Sequence, residues 1–268
     1  MRWAALLLAG GCLWAQANVR SPGHEAYERA NALFVEKKLA QCQAALDEAL
    51  RLDPKLVPAL TLQAKLAMVQ NRFDTARQSL ERAQAADPKS GYVEFLLGLD
   101  YYLSNDLRLA LPHFEKARAL NSSDARAALY LGMTRESLGQ IDEALRLYQA
   151  AVGLEASAGS PQVDTYLTGA RLLLVLGRAA ESEDWIRKAL KIDPASRDAH
   201  FELARWWLNK GDMAAAAKEG EIALSAPGGS VTDTQIHYLL IRAYRKDQPQ
   251  KAEEHAGALR AMETAPAK

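Results

Sequence analysis

From residue 23 onward, apolar side chains recur at three- and four-residue spacing along nearly the whole chain. Leu96, Leu97 and Tyr101, followed by Leu107, Leu111 and Phe114, are one example. That period places the apolar residues on one face of a helix. The pattern is punctuated at regular intervals by Asn71, Asn105, Gly139, Gly177 and Gly211. Glycine and asparagine tolerate the left-handed conformation that ends many helices. Between these turns stand Asp53-Pro54, Asp87-Pro88 and Asp193-Pro194. Proline forces the residue before it out of the helical region, so each pair stops a helix. The pattern therefore predicts a helix of about three to four turns, a tight turn, a second such helix and a stop, repeated along the chain.

Small residues keep the same register. One column reads Ala49, Ala83, Ala117, Ala151, Ala189, Ala223, with spacings of 34, 34, 34, 38 and 34. A second reads Cys42, Ala76, Ala110, Ala144, Ser182, Ala216, and a third Ala30, Ala64, Gly98, Gly132, Ala170, Ala204. Small side chains in fixed columns let two helix backbones approach closely where they cross. One such hairpin cannot bury its apolar face alone, so the units are expected to stack and share a core.

Leu97-Gly98 with Tyr101, then Ala110, Phe114 and Ala117, resemble the tetratricopeptide repeat family, as do Leu131-Gly132 with Ala144, Tyr148 and Ala151. The resemblance implies an all-α fold, a right-handed superhelical solenoid of antiparallel helix pairs. It covers repeats 1–4 over residues 23–158 and repeats 5–6 over residues 163–230. A degenerate closing helix pair spans 231–262, and 263–268 form a tail. Two departures stand out. Lys37 occupies the turn position of the first repeat, which predicts an irregular turn there. The fourth repeat lacks its closing proline and gains four residues, so Gly153 to Gln162 reads as a longer loop, with 159–162 as the insertion proper. That loop is either a hinge between two halves or a tolerated surface insertion.

Composition adds a destination. Arg2 precedes a short apolar run from Trp3 to Trp14, and Ala15-Gln16-Ala17 supplies a small-x-small pattern. This reads as a signal peptide over 1–17, with 18–22 as a short lead, and points to export, to the bacterial periplasm or beyond. Two other readings stay open: a lipid anchor at Cys12, preceded by Ala9-Gly10-Gly11, and a buried N-terminal helix. No later apolar run is long enough for a transmembrane helix. Lys plus Arg, at 33, equals Asp plus Glu, at 33, so bulk charge favours neither nucleic acid nor anionic membrane. Cleavage would leave Cys42 as a single thiol, and the fold then holds by packing alone.

Chemistry is sparse. The histidines, His24, His113, His200, His237 and His255, form no metal-ligand spacing, and no phosphate loop or nucleophile elbow occurs. No cofactor, metal site or catalytic residue is expected, and the chain reads as a non-enzyme. His200 and His237 fall at matching helix positions and read as core or edge residues. Trp207 shares the column of Tyr101 and is expected in the core, with Trp206 at a seam between helices.

The expected activity is protein binding by a scaffold. The resemblance implies that the first helix of each pair lines a concave groove, and helical spacing then selects its residues. The candidate groove residues are Tyr27, Asn31, Phe34, Lys65, Tyr92, Phe95, Tyr102, Arg171, Phe201, Arg205, Tyr238 and Arg242. The early ones are largely aromatic; Arg171, Arg205 and Arg242 form an arginine ladder. This suits a peptide or protein segment with an apolar part and an acidic part. Local acids, Asp164 and Asp198, are the competing partners for those arginines. Tyr27 and Lys65 depart from the family's clamp for chaperone tails. The alternative function is a lipid-anchored structural subunit of an outer-membrane or envelope assembly.

Overall fold

A computed structural model describes residues 21–264, with side chains to 263. The predicted leader, the Cys12 anchor and the last residues of the tail lie outside them. The described chain is all-α, and no strand occurs among the described residues. It divides into two compact units between Lys89 and Ser90. The first unit holds two hairpins: α1 (Pro22–Val35) with α2 (Leu39–Leu52), and α3 (Val57–Val69) with α4 (Phe73–Ala86). The second holds five: α5 (Gly91–Leu103) with α6 (Leu107–Leu120), α7 (Ala125–Ser137) with α8 (Ile141–Ser157), α9 (Val163–Val175) with α10 (Ala179–Ile192), α11 (Arg197–Lys210) with α12 (Met213–Ser225), and α13 (Asp233–Tyr244) with α14 (Pro249–Thr264).

The turn within each of the first six hairpins is one motif. A residue with positive φ follows the first helix: Lys37, Asn71, Asn105, Gly139, Gly177 or Gly211. The next N–H then reaches back to a carbonyl five residues earlier, as from Lys38 to Leu33 at 2.9 Å, Arg72 to Ala67 at 2.8 Å and Gln140 to Arg135 at 2.8 Å. This closes the last helical turn on itself. The irregular first turn expected at Lys37 is therefore corrected. Lys37 takes φ 59° and makes the same turn, its Cβ strain outweighed by the hairpin packing around it.

Between hairpins the stop is also recurrent. The side chains of Asp53, Asp87, Asn121 and Asp193 each accept a hydrogen bond from the backbone N–H two residues on. In the second unit α5, α7, α11 and α13 are capped by Ser90, Asp124, Ser196 and Thr232. Side-chain oxygens there satisfy N–H groups that the first helical turn leaves free.

Inside each hairpin the small columns explain the packing. A Cβ added to Gly98 would sit 2.7 Å from the Phe114 ring, and one added to Gly132 would sit 2.7 Å from the Tyr148 ring. Where the facing residue is Leu46, Leu80 or Ile186, the column holds alanine instead: Ala30, Ala64 or Ala170. The largest rings thus meet glycine, as Trp185 also does at Gly169, so side chains of different size pack at the same crossing.

The insertion is a second correction. Gly153 to Ser157 continue α8 as helix rather than forming a loop. Leu154, Glu155 and Ala156 are strong helix formers, and the nearest proline, Pro161, is too far along to stop them. Glu155, buried, ties the end of α8 to α9: it accepts from Thr165 Oγ1 at 2.7 Å and from the Gln162 N–H at 3.1 Å.

Candidate functional site: the first-helix face of the second unit

In the second unit, α5 packs on α7, α9 on α11 and α11 on α13, whereas no two second helices pack closely on each other among the described residues. The first helices therefore form the inner layer. The close packing is interrupted between α7 and α9, where the lengthened α8 intervenes. The layer thus has an aromatic segment on α5 and α7 and an arginine segment on α9, α11 and α13.

The aromatic segment is a connected set of rings. Tyr92 stacks on Phe95 with centroids 6.5 Å apart. Phe95 meets Tyr130 edge-on at 5.6 Å, and Tyr130 meets Tyr102 edge-on at 5.7 Å. The Arg126 guanidinium lies 5.4 Å from the Tyr92 centroid and 5.3 Å from that of Phe95. Asp124, the cap of α7, holds it there by hydrogen bonds from Nε at 3.0 Å and Nη2 at 2.8 Å. Burial opposes ionisation of Asp124, but the Arg126 bonds outweigh it and hold the carboxyl below its ordinary value. Phe95, expected on the open face, is buried: it packs on Phe114, the ring that Gly98 makes room for. Tyr92 and Tyr102 keep partial access. Burial, Tyr130 and Glu136 push the Tyr102 hydroxyl above its usual range. Tyr148 is also raised, by burial and by its bond to Glu136 at 2.5 Å.

The arginine segment is organised by a carboxylate that sequence reasoning missed. Glu202 is buried, and it accepts from Arg171 Nε at 2.6 Å and from Arg205 Nη1 at 2.8 Å. Two rungs of the ladder thus share one acid. Asp198, one of the two acids expected beside them, is instead turned toward the loop between α12 and α13. It accepts from the Ser230 N–H and hydroxyl, each at 2.8 Å, and from the Val231 N–H at 2.8 Å. Burial works against its ionisation, but these bonds, with Arg171 nearby, keep its carboxyl below the ordinary value. Arg197 binds the same loop through the carbonyls of Val231 and Ala226, at 2.9 and 3.0 Å, and through Asp233.

Arg242 is different. It is exposed and has no ion-pair partner among the described residues. With Leu174, Arg205, Leu208 and Asn209 it lines an open pocket of about 170 Å³ drawn from three successive first helices. Tyr238, one turn before it, is also exposed. Phe201 is half-buried and packs into the core shared by α11, α12 and α13.

In the first unit, the candidates form a smaller group. The Lys65 ammonium of α3 lies 5.3 Å from the Phe34 ring centroid of α1, Tyr27 meets His24 edge-on at 5.8 Å, and Asn31 is exposed.

The remaining sequence candidates are structural. His200 bonds Glu219 at 2.7 Å and the Pro194 carbonyl at 3.0 Å. Trp206 is the more buried of its pair and sits at a seam, its indole N–H donating to the Ala179 carbonyl of the preceding hairpin at 2.7 Å, whereas Trp207, half-buried, packs against the cores on both sides. Cys42 is buried in its small-residue column, and burial pushes its thiol up. Among the described residues no cluster of three His, Cys, Asp or Glu is placed to hold a metal, and no helix is long and apolar enough to cross a membrane.

Stacked antiparallel helix pairs, with one repeated turn and an inner layer of first helices, define a helical-hairpin repeat protein. A family model for the tetratricopeptide repeat matches residues 27–91, 95–161 and 167–230. The chain belongs to that family. Anaphase-promoting complex subunit 3 of Schizosaccharomyces pombe is 21% identical over 199 residues, covering 74% of this chain and 29% of that protein. The chain spans less than a third of the length of the curated relatives it matches. Among solved structures, PilF of Pseudomonas aeruginosa superposes with a TM-score of 0.67 at 16% identity, covering 85% of this chain and 97% of that one. PilW, a widely conserved type IV pilus biogenesis factor, superposes with a TM-score of 0.52 at 18% identity, covering 90% and 94%. At these identities the likeness is one of fold.

Proposed function

We propose that the chain is a non-catalytic interaction scaffold whose second unit binds an extended peptide segment along its first helices. The aromatic segment takes apolar side chains on Tyr92 and Tyr102. The arginine segment takes carboxylates. The observation that carries this reading is the pocket that Arg205 and Arg242 line together with Leu174 and Leu208, with Arg242 unpaired among the described residues. A guanidinium beside an apolar floor suits an acidic residue flanked by an aliphatic one. Fluorescence anisotropy with a labelled Leu-Tyr-Leu-Glu-Glu-Asp peptide tests it. Binding is expected to weaken with salt, and Arg242→Glu with Arg205→Gln is expected to lower affinity by at least about tenfold. Unchanged affinity and unchanged salt dependence in that variant sink the reading.

A second proposal concerns placement. The residues 1–17 pattern and the fold likeness to a type IV pilus biogenesis factor support an exported protein of the bacterial envelope. Mass analysis of the protein from its native host separates a chain beginning at Asn18 from one lipidated at Cys12, the form that favours a structural subunit of an envelope assembly. An uncleaved chain in the cytoplasm rejects both.

A further inference from the structure

The closing hairpin carries a group of polar side chains that the groove does not use. His237 of α13 is buried, and its Nδ1 faces Nδ1 of His255 on α14 at 2.9 Å. The other ring nitrogen of His255, Nε2, lies 3.2 Å from Glu221 Oε1 of α12. The Tyr244 hydroxyl donates to that same oxygen at 3.1 Å, and its ring stacks on His255 at 5.7 Å with the planes 1° apart. The Lys251 ammonium lies over the Tyr244 ring, at 4.9 Å from its centroid. From α11, Arg197 reaches Asp233 at the start of α13 rather than the rings. The charged groups that bear on His237 are therefore His255, Asp233 and Glu221.

We infer that His237 and His255 form a proton-sensitive latch that holds α14 against α13 at neutral pH and loosens it in acid. A contact between two Nδ1 atoms needs one proton between them. In the neutral pair His237 donates to His255, whose Nε2–H points to Glu221. One added proton leaves that bond intact, because a single charged ring still donates to a bare nitrogen. A second added proton puts N–H groups on both facing atoms and two cations in contact. Glu221 contacts only one of the rings, and Asp233 is already paired with Arg197. The rings must then part, and they span the two helices of the last hairpin. α14 packs chiefly on α13, so little else among the described residues holds it.

The direction of the pH effect follows from His237. Burial first, and then the charge of His255, hold it below its ordinary value of 6.5. The docked hairpin binds fewer protons than the opened one. Docking is therefore complete above that ordinary value and weakens as pH falls through it. On the groove reading, α13 also carries Tyr238 and Arg242, so loosening of its outer support would reach the arginine segment.

Hydrogen exchange by mass spectrometry on the full chain tests the latch without any ligand. Exchange is compared at pH 7.5 and 5.5 after correction for intrinsic rates. Protection of α14 is expected to fall by about tenfold, while α9 and α10 stay unchanged. In His255→Gln, whose amide still reaches Glu221, the pH dependence of α14 is expected to shrink, because the charge of the second ring is gone and only the burial of His237 remains. Equal α14 protection at both pH values, loss spread over all hairpins, or the same pH dependence in His255→Gln overturns the proposal. Should that variant lose its helical circular dichroism at pH 7.5, histidine NMR on the wild type decides. Titration of His237 below 6.5 together with loss of α14 protection supports the latch, and one unshifted titration for both rings refutes it.

Discussion

The aromatic and arginine segments occupy the same layer of the same unit, on helices of the same length class, yet they are held differently. In the aromatic segment the side chains at the inner face are anchored to the hairpin core: Phe95 reaches Phe114, and Tyr148 reaches Glu136 across to α7. In the arginine segment the anchoring is ionic and lies between hairpins: Glu202 binds one arginine from α9 and one from its own helix, and Asp198 fastens the loop that leads into α13. Position in the repeat therefore does not by itself decide whether a residue is core or ligand-facing. What stands opposite decides it. In the aromatic segment Phe114 faces Gly98 and draws Phe95 into the core, whereas in the arginine segment the buried Glu202 gathers the charged heads.

The largest expected effect is in the arginine segment. Asp198→Ala leaves the Ser230 and Val231 N–H groups without their acceptor, with Arg197 still buried beside them, and is expected to cost about 3 kcal/mol. Urea unfolding at pH 7 measures it, and a loss below about 1 kcal/mol contradicts the clamp. The wild type carries the matching pH signature. Since the Asp198 carboxyl is held below its ordinary value of 3.8, its contribution is complete above that value and lost as pH falls through the lower folded one. The stability difference between wild type and variant should therefore shrink on acidification below pH 3.8.

In the aromatic segment the corresponding weak point is steric. Gly132→Ala brings a methyl within 2.7 Å of the Tyr148 ring, which is fully buried and has no free direction in which to move. Overpacking of this kind is expected to cost about 2 kcal/mol, even though alanine is the better helix former. Gly132→Ala combined with Tyr148→Leu recreates the alanine-opposite-leucine pairing of the first unit and is expected to recover at least half of the loss. Additive losses in the double variant would contradict the size-matching argument.

These contrasts also mark what the sequence makes legible. The small-residue columns, the turn residues and the Asp-Pro stops are local signals, repeated often enough to reinforce one another, and they suffice for helix pairs in register. Lys37 shows where a local signal misleads. The same turn forms there without glycine or asparagine, because the hairpin contacts on either side impose it. Gly153 to Ser157 show the opposite case, in which a break in the repeat is not a break in the helix. The groove is harder to read. Spacing selects one helix face, but not the depth of Phe95, which depends on Phe114 and Tyr130. The local i,i+3 spacing pairs Glu202 with Arg205, but its second partner, Arg171, lies 31 residues away on another hairpin, so the shared acid is not legible locally.

Glu202→Gln sharpens the comparison at smaller amplitude. Glutamine keeps the shape but not the charge, so Arg171 and Arg205 lose their shared counter-ion while both heads remain partly solvated. Stability is expected to fall by about 1 kcal/mol, the scale of one charge-assisted hydrogen bond. Affinity for the acidic peptide is expected to rise several-fold, because two cations are released to an external carboxylate. Stability and affinity moving in opposite directions would show that Glu202 competes with the ligand. Both falling together would make Glu202 a purely structural support for the groove.

The smallest effect separates two arginines that look alike in the sequence. Arg126 is tied to Asp124 and lies over two rings, whereas Arg242 stands unpaired among the described residues at the rim of a pocket. Arg126→Met keeps the apolar stem but removes the cation, and is expected to cost about 0.5–1 kcal/mol from the lost cation–π and ionic contacts. Arg242→Met is expected to stay within about 0.5 kcal/mol of wild type, as for a surface site without partners. Peptide binding should rank them the other way, with Arg242→Met the more damaging. Urea midpoints and anisotropy on the same two variants make the comparison. Equal stability costs with equal binding losses would mean that the two segments are not held by different physics, and that the charge on Arg242 is already satisfied within the fold.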